Sequence, residues 1–592
     1  MSKSDKGTIV SIDGPVIGIK GLKHQQIGDL VKIGDSELIG EIIKILENKT
    51  ITTCFEYTEG LHIGEPVLNT KEPLSMELGP GLLNNIYDGI QRALPTLREK
   101  YGDFIQIRQE AAALDRKKQW LFEPLAKIGS KVSAGDIIGV VQETNTIKHQ
   151  IMVPNGVHGQ LIDIANTSKY TIIDDVYTIK TGRTEIKFTM MQKWPIREIR
   201  PYRQRFFPNK PLITGMRVID VLFPVAKGGV VAVPGGFGTG KTVIQHNLAK
   251  WVDANIIVYV GCGERGNEMA EVLEQFPSLI DPHTNLPLME RTVLIGNTSD
   301  MPVSAREASI FSGLTIAEYY RDMGYHVALL ADSTTRWAEA LRELSGRLEE
   351  IPAEGGYPAY LSTRLASFYE RAGLVYPLGS PDREGSITLV GAVSPPSGDF
   401  SEPVTKTTRR FVKAFWALDA KLAYSRHYPS ISWTDSYSLY SEDLETWWNS
   451  LGTGWAKSRT EIAEILAKSD ELQNIVQLVG KENIPVDQQL TLFVADLVKN
   501  VFLIQNAYDP IDRYSSPEKS LKLINLILDY YIRSMDIVKR GIPLFEVENL
   551  PIVTNISRAR LTIKNEDVRK FDDLKKDLES QCTSLIEHYE TV

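Results

Sequence analysis

Cysteine is nearly missing from this chain: among 592 residues only Cys54, Cys262 and Cys582 occur, far apart and forming no CxxC pair. That excludes a disulfide framework and a cysteine-based zinc site, and it fits a reduced, cytosolic setting. Long apolar runs are lacking too. No window approaches the roughly 18 uncharged apolar residues of a membrane span, and the opening Met-Ser-Lys-Ser-Asp-Lys has no apolar core of a secretory leader. A membrane role is therefore expected to come through partners. Nor is there an excess of positive charge. The 66 Lys and Arg against 75 Asp and Glu leave a net charge of -9 spread along the chain, which argues against a nucleic-acid groove as the main surface. Low-complexity tails and short repeats are absent. What is there is an ordinary globular composition, 42% hydrophobic and 24% charged, in a chain too long for one core. Length alone suggests roughly three to five domains.

Patterning divides the chain into five segments. Residues 1–75 carry short, partly alternating apolar runs at close turn spacing, as in 7–14, 30–33 and 41–45, the pattern of a small β-barrel. Residues 76–114 read as a connecting helical segment through Leu82, Leu83, Ile86 and Ile90. Residues 115–190 return to strands and resemble half of a lipoyl- or biotinyl-type sandwich. A modifiable lysine there would have to be Lys148, which lacks the methionine pair usual in biotinyl domains, so an inserted structural module is the favoured reading. Residues 191–440 alternate strand and helix, with strands expected at 230–233, 256–261, 292–295, 326–331 and 387–393 and helices at 264–276 and 304–323. That pattern predicts an α/β domain with a mostly parallel, buried sheet. Residues 441–592 read as helices near 443–478, 487–506, 517–540 and 567–590, with Pro485, Pro510, Pro517 and Pro551 marking breaks. The expected fold is thus multidomain: an N-terminal β-barrel, an inserted β-rich module, a central α/β nucleotide-binding domain and a C-terminal helical domain.

The chemistry begins at Gly235, Gly236, Phe237, Gly238, Thr239, Gly240, Lys241 and Thr242, which spell G-x-x-x-x-G-K-T. Val230, Val231, Ala232 and Val233 precede this P-loop as a buried strand, and Val243, Ile244, Gln245 and His246 open an amphipathic helix after it. Strand, glycine-rich turn and helix start together make a phosphate cradle. The glycines let successive N–H groups point at anionic oxygens, the helix start adds the positive end of its dipole, and Lys241 supplies an ammonium for the β- and γ-phosphates. Thr242 offers Mg²⁺ a hydroxyl. A glycine turn that merely precedes a lysine would not need all eight positions in this context, so the chain is expected to bind a nucleoside triphosphate.

A cradle alone does not choose between a kinase, a GTPase, a motor and a passive binder. The next strand ends in Cys262, Gly263, Glu264, Arg265, Gly266, Asn267 and Glu268. A carboxylate at the carboxyl end of a core strand is placed to orient an attacking water. Glu264 is the candidate for that task, with Arg265 steadying its charge. Glu268, one turn into the following helix, is the rival and reads better as a partner of the helix dipole. A further apolar run, 326–331, closes in Asp332, the pattern of a strand whose carboxylate serves Mg²⁺. Arg336 reads as structural, pairing with Glu339 or Glu343. Tyr428 and Tyr508 stand on irregular segments and could stack an adenine, although spacing alone favours packing roles for both.

In this order, residues 235–242, 261–268, 330–333 and 429–438, together with Thr189-Met-Met-Gln-Lys-Trp-Pro195 and Lys227-Gly-Gly229, resemble the catalytic A subunit of V-type and A-type rotary ATPases. The resemblance runs end to end and includes the inserted module. It implies a RecA-like core in a hetero-hexamer of alternating catalytic and non-catalytic B-type subunits around a central stalk, with a peripheral stalk and a membrane ring that moves H⁺ or Na⁺. It places catalysis on Lys241, Glu264 and Arg265, Mg²⁺ with ATP or ADP on Thr242 and Asp332, and nucleotide on 235–243, Tyr428 and Tyr508. An arginine finger would come in trans from the B-type subunit. The complex would sit peripherally at the cytoplasmic face of a membrane, without nucleic acid. Three positions depart from the family pattern: Gly236 for the usual proline or alanine, Ser432 for Asp, Asn or His, and Thr239 for the redox-sensitive cysteine of eukaryotic relatives. The competing readings are a non-catalytic member of such a ring and a ring translocase for RNA or secreted polypeptide. Intact Lys241 and Glu264 oppose the first, and the 115–190 insertion opposes the second.

Overall fold

The computed structural model describes residues 6–102, 111–452 and 454–590. The chain divides into two compact units, one of Met1–Phe207, Lys227–Val230 and Ala254–Val412, the other of Pro208–Ala226, Val231–Asp253 and Lys413–Val592.

The first unit opens with a closed antiparallel barrel of six strands: Lys6–Asp13, Val16–Lys20, Asp29–Ile33, Leu38–Ile45, Thr50–Cys54 and Pro66–Pro73. β-Branched residues suit a pleated wall with one buried face, and Ile9, Ile17, Val31, Ile33 and Ile42 fill the interior. Closure leaves no unpaired edge in this sheet. The stretch after the barrel differs from expectation. Leu82, Leu83, Ile86 and Ile90 have helical spacing, yet Ser75–Leu78 and Asn85–Tyr87 are strands and the helix runs only over Leu94–Tyr101. Pro80 interrupts a helix there, and Asn85–Tyr87 pairs in parallel with Thr292–Thr298, so its apolar residues serve a sheet instead. Residues 103–110 of the expected helical segment lie outside the described residues.

The β-rich module forms two four-stranded sheets. One runs in the order Lys131–Ser133, His158–Ile164, Tyr177–Thr181, Thr184–Phe188, the other Lys148–Met152, Ile137–Gln142, Gln119–Pro124, Ser168–Thr171. Lys148 opens a strand, and its backbone N–H and C=O both meet the Tyr325 hydroxyl, at 3.2 and 2.7 Å.

The α/β core of this unit holds parallel strands in the order Gly385–Val393, His326–Asp332, Ile256–Glu264, Thr292–Thr298, Asn85–Tyr87. The strands expected at 256–261, 292–295, 326–331 and 387–393 are all there, each running slightly further. Continuous Val, Ile and Leu runs make a sheet buried on both faces. Helix Val303–Asp322 is buried along its whole length, as a helix enclosed by other elements must be.

In the second unit, strand Val230–Pro234 leads through the glycine loop into helix Lys241–Trp251 and pairs in parallel with Ala414–Phe415. Helices then follow over Ser441–Leu451, Trp455–Val479, Val486–Leu497, Pro517–Lys539, Leu544–Glu548, Pro551–Thr562 and Lys570–Glu590. The single helix expected at 443–478 is two, separated at Gly452 and Gly454, and Trp448 stacks on Trp455 across the break at 5.2 Å between ring centres. Pro517 and Pro551 stand at breaks between helices and each begins the helix that follows, since a proline at the first helical position gives up no hydrogen bond. Among the described residues no helix is long and apolar enough to cross a membrane.

One buried network fastens the β module to the α/β core. Glu143 and His149 are fully enclosed and bonded at 2.7 Å. His149 Nε2 meets Tyr319 Oη at 2.9 Å, and Tyr320 Oη donates to Glu143 at 2.9 Å. The N–H groups of Gly81 and Leu83 donate to the same carboxylate at 2.8 and 3.1 Å. Burial pushes the Glu143 pKa up, but the charge and hydrogen bond of His149 and the two amides outweigh it and hold the carboxyl below its ordinary value. Removing one partner of such a pair costs about 3–5 kcal/mol. His149→Ala should therefore lower the melting temperature of the purified chain clearly, and an unchanged value would show that this network does not hold the module.

Candidate active site

The phosphate cradle belongs to the second unit and the acidic residues to the first. In the cradle, Gly238 and Gly240 have φ of 75° and 89°, left-handed values that a side chain resists. Gly240 caps helix Lys241–Trp251. A Cβ on Gly240 would lie 3.9 Å from the Tyr428 ring, so that ring borders the loop. Lys241 Nζ donates to the carbonyls of Gly235 and Gly236 at 2.7 and 3.0 Å. The ammonium thus rests on its own loop. Thr239 is buried, its hydroxyl donating to Gly236 C=O at 2.9 Å, and Ser430 Oγ donates to Thr239 C=O at 2.6 Å. Phe237, Val243 and Tyr428 are exposed, and Tyr508 is 91% exposed. Ser432 closes a turn on Asp435, donating to Oδ2 at 2.7 Å and accepting from the Asp435 N–H at 3.1 Å.

In the first unit, strand Ile256–Glu264 is buried except at its last residue. Its parallel pairing with His326–Asp332 sets Gly261 opposite Asp332, which brings both strands to the same carboxyl edge. Tyr259 Oη donates to Asp332 Oδ2 at 3.2 Å. Arg265 caps helix Gly266–Gln275, and Glu268 stands in its first turn. Gly263 has φ of 72°, and a Cβ there would strike side-chain carbons of Arg306 and Arg336 at 2.8 Å. Arg336 pairs with Glu339 at 2.9 Å. Glu264 is the perturbed member of this group. Burial raises its pKa first, the charge of Asp332 next, then a hydrogen bond and the charge of Glu268, and against the pull of Arg336 it reaches about 8. Crowded carboxyl groups can share an edge only if one keeps its proton.

The structure brings Glu264, Glu268 and Asp332 into one electrostatic group, and Tyr428 to the cradle. Sequence reasoning missed Tyr259 and Ser430. Tyr259 is hidden within an apolar strand, and Ser430 differs from other serines only in standing two residues after Tyr428. Among the described residues no group of three or more His, Cys, Asp or Glu could hold a metal by itself. The hydroxyl of Thr242 and the carboxylate of Asp332 are the donor types a hard cation takes, and Mg²⁺ completes its shell with water and phosphate oxygens. In donor type, each of these two residues by itself fits Mg²⁺.

Glu264 also makes stability pH-dependent. Its folded pKa of about 8 lies above the unfolded value, so folding retains a proton that the unfolded chain has lost. The stability this contributes is present below the unfolded pKa and is lost as pH rises through about 8. Glu264→Gln should match the parent near pH 4.5 and exceed it by at least about 1 kcal/mol at pH 8.5. Thermal melts of the two chains across this range test it, and parallel curves would refute the raised pKa.

The model of the ATP synthase alpha/beta family, beta-barrel domain, matches residues 9–71, and that of the ATP synthase alpha/beta subunit barrel-sandwich domain matches 111–197. The ATP synthase alpha/beta family nucleotide-binding domain matches 215–438, and the C-terminal domain of V and A type ATP synthase matches 444–547. The A subunit of the A-type ATP synthase of Methanopyrus kandleri is 54% identical over 99% of this chain and 100% of its own length. The V-type ATP synthase alpha chain of Thermoanaerobacter pseudethanolicus is 52% identical over 98% of this chain and 99% of its own. The assembled ATPase EscN of an enteropathogenic E. coli type III secretion system shares the fold, with a TM-score of 0.62 at 22% identity over 88% of this chain and 100% of that one. By its full-length match and its ordered domains, the chain belongs to the ATP synthase alpha/beta family, with the A subunits of A-type and the alpha chains of V-type ATP synthases.

Proposed function

We propose that this chain is the catalytic subunit of a rotary V/A-type ATPase, coupling ATP hydrolysis, or synthesis in reverse, to movement of H⁺ or Na⁺ across a membrane. The observation that carries the reading is the shared carboxyl edge of Ile256–Glu264 and His326–Asp332, where Glu264 has a pKa of about 8. A base poised near neutral pH is suited to draw a proton from water attacking phosphorus.

The cradle residues 235–243 bind the triphosphate through backbone N–H groups, and Lys241 leaves the carbonyls of Gly235 and Gly236 to hold the β- and γ-phosphates. Thr242 and Asp332 provide the protein oxygens for Mg²⁺, which when bound neutralises phosphate charge. In its ionised form Glu264 orients the water that attacks the γ-phosphorus in line with the departing ADP oxygen and takes up the proton released as inorganic phosphate forms. Arg265 steadies the charge at Glu264. Tyr428 and Tyr508 hold the adenine.

The chain works within a multisubunit, membrane-associated ATP synthase complex. In finer detail, it alternates with a non-catalytic B-type subunit that supplies an arginine finger in trans. Central and peripheral stalks link the hexamer to the membrane ring, and the chain lies peripherally at the cytoplasmic face. A trans arginine contributes roughly 10³–10⁵ in rate, so the chain alone should hydrolyse ATP slowly.

Glu264→Gln in the assembled complex should lower kcat about 10²–10⁴-fold with nucleotide binding retained, whereas Lys241→Ala should lose nucleotide binding itself. Full ATPase activity in the Glu264 variant would favour the non-catalytic reading.

A further inference from the structure

Two tyrosines far apart in sequence hang from one buried knot, and its centre is Gln505. Its backbone N–H donates to the Tyr428 carbonyl at 2.7 Å. Its side-chain Nε2 donates to the carbonyls of Gly215 and Asp512, both at 2.8 Å, and its Oε1 accepts the Arg217 N–H at 2.9 Å. Both amide donors and the oxygen are thus engaged, on a side chain only 6% exposed.

Arg217 locks the other side. It is fully buried and donates to Phe502 C=O at 2.9 Å, Ile504 C=O at 2.6 Å and Asp512 Oδ1 at 2.7 Å. Asp512 Oδ2 accepts the Asn506 N–H at 2.8 Å and is paired with Arg560. Within the loop so closed, Asp509 accepts the N–H groups of Ile511 and Asp512 at 2.8 Å, and Asn506 Oδ1 accepts that of Tyr508 at 3.0 Å. The neck of residues 504–512 is therefore fixed while its tip presents Tyr508 to solvent. Through Tyr428, the same knot reaches the ring that borders Gly240.

We propose that Gln505 is a positioning residue for nucleobase selection, fixing Tyr428 and Tyr508 relative to the phosphate cradle without touching the nucleotide. This inference rests on the reading that the two tyrosines hold the base. The cradle has its own support in Ser430 and Thr239, so loosening the knot leaves phosphate binding in place and weakens only base contact. Stacking grows with the area of the ring, so loosening the tyrosines weakens purine nucleoside triphosphates more than pyrimidine ones.

The test uses the assembled complex with Gln505→Met, which keeps the volume and the backbone bond to Tyr428 but removes the three side-chain hydrogen bonds that hold residue 505 in place, and Gln505→Glu, which keeps the acceptor and removes the side-chain donors. Melting temperature is recorded beside kinetics with ATP and CTP. Either variant should raise the KM for ATP several-fold to about tenfold, the worth of one stacked base. The KM for CTP and both kcat values should move less than about twofold. A fall in kcat with unchanged KM, or equal weakening of ATP and CTP, would overturn the assignment. Tyr508→Ala separates the two levels. If it leaves the KM for ATP unchanged, the base-holding reading fails, and if it raises that KM while both Gln505 variants do not, only the role of Gln505 fails.

Discussion

The main-chain register between strands Ile256–Glu264 and His326–Asp332 is the constraint on which the candidate site depends. With Gly261 opposite Asp332, the first strand runs on to Glu264 and both acids arrive at one carboxyl edge, where open α/β sheets place their ligands. Side chains alternate across a sheet, so a slip by one residue would send one acid to the other face. The site owes its geometry to apolar residues with no chemistry of their own: Val, Ile and Leu runs buried on both sides leave the strands a single register. Stability is given up at that edge, because Glu264 shares it with Asp332 and Glu268 and answers by holding its proton. Crowding that costs folding energy is also what moves the carboxyl into the range where proton transfer is useful.

Elsewhere, buried charge is matched by many partners. Arg217 meets Asp512 and two carbonyls, Glu143 meets His149, Tyr320 and two amides, and Arg197 meets both Glu307 and Glu41. A lone buried ion would cost several kcal/mol, and attraction repays this only when further hydrogen bonds saturate each group. Those partners come from far along the chain. Arg197 joins the barrel strand of Glu41 to the buried helix of Glu307, and Arg217, which caps the short helix Val218–Leu222, joins that turn to Phe502, Ile504 and Asp512. Alternative packings would leave at least one such ion bare, so the networks specify one arrangement more than they add net stability.

Much of this was legible in the chain. The eight-residue cradle, the strand closed by Glu264 and the strand closed by Asp332 are local patterns, and local patterns survive folding because one strand or turn carries each. The parallel strands were visible as unbroken apolar runs. What stayed hidden was set by tertiary pairing. Ile86 looked helical by spacing and became an edge strand only because Thr292–Thr298 offers it a ladder. Helices Leu544–Glu548 and Pro551–Thr562 were not expected, since a proline marks a break without saying whether a helix follows it. Gln505 had no signal at all: a glutamine between Ile504 and Asn506 becomes a hub only when Gly215, Arg217 and Tyr428 converge on it.

The second unit sets exposed rings beside buried, hydrogen-bonded residues. Phe237, Tyr428 and Tyr508 keep their rings open to solvent, whereas Thr239, Ser430, Gln505 and Asp512 are buried and hydrogen-bonded. A binding group that packed into the core would need to be torn out before a ligand could reach it, at a cost of about 1.5–3 kcal/mol for a large apolar side chain. Exposed aromatics avoid that cost, but free rotation would take it back as ordering entropy on binding. Fixing the backbone beneath them limits that loss without covering the ring. Lys241 is ordered by different means: its ammonium is held on the carbonyls of Gly235 and Gly236 in its own loop. Backbone saturated underneath and side chains left open above let a loop be both ordered and available.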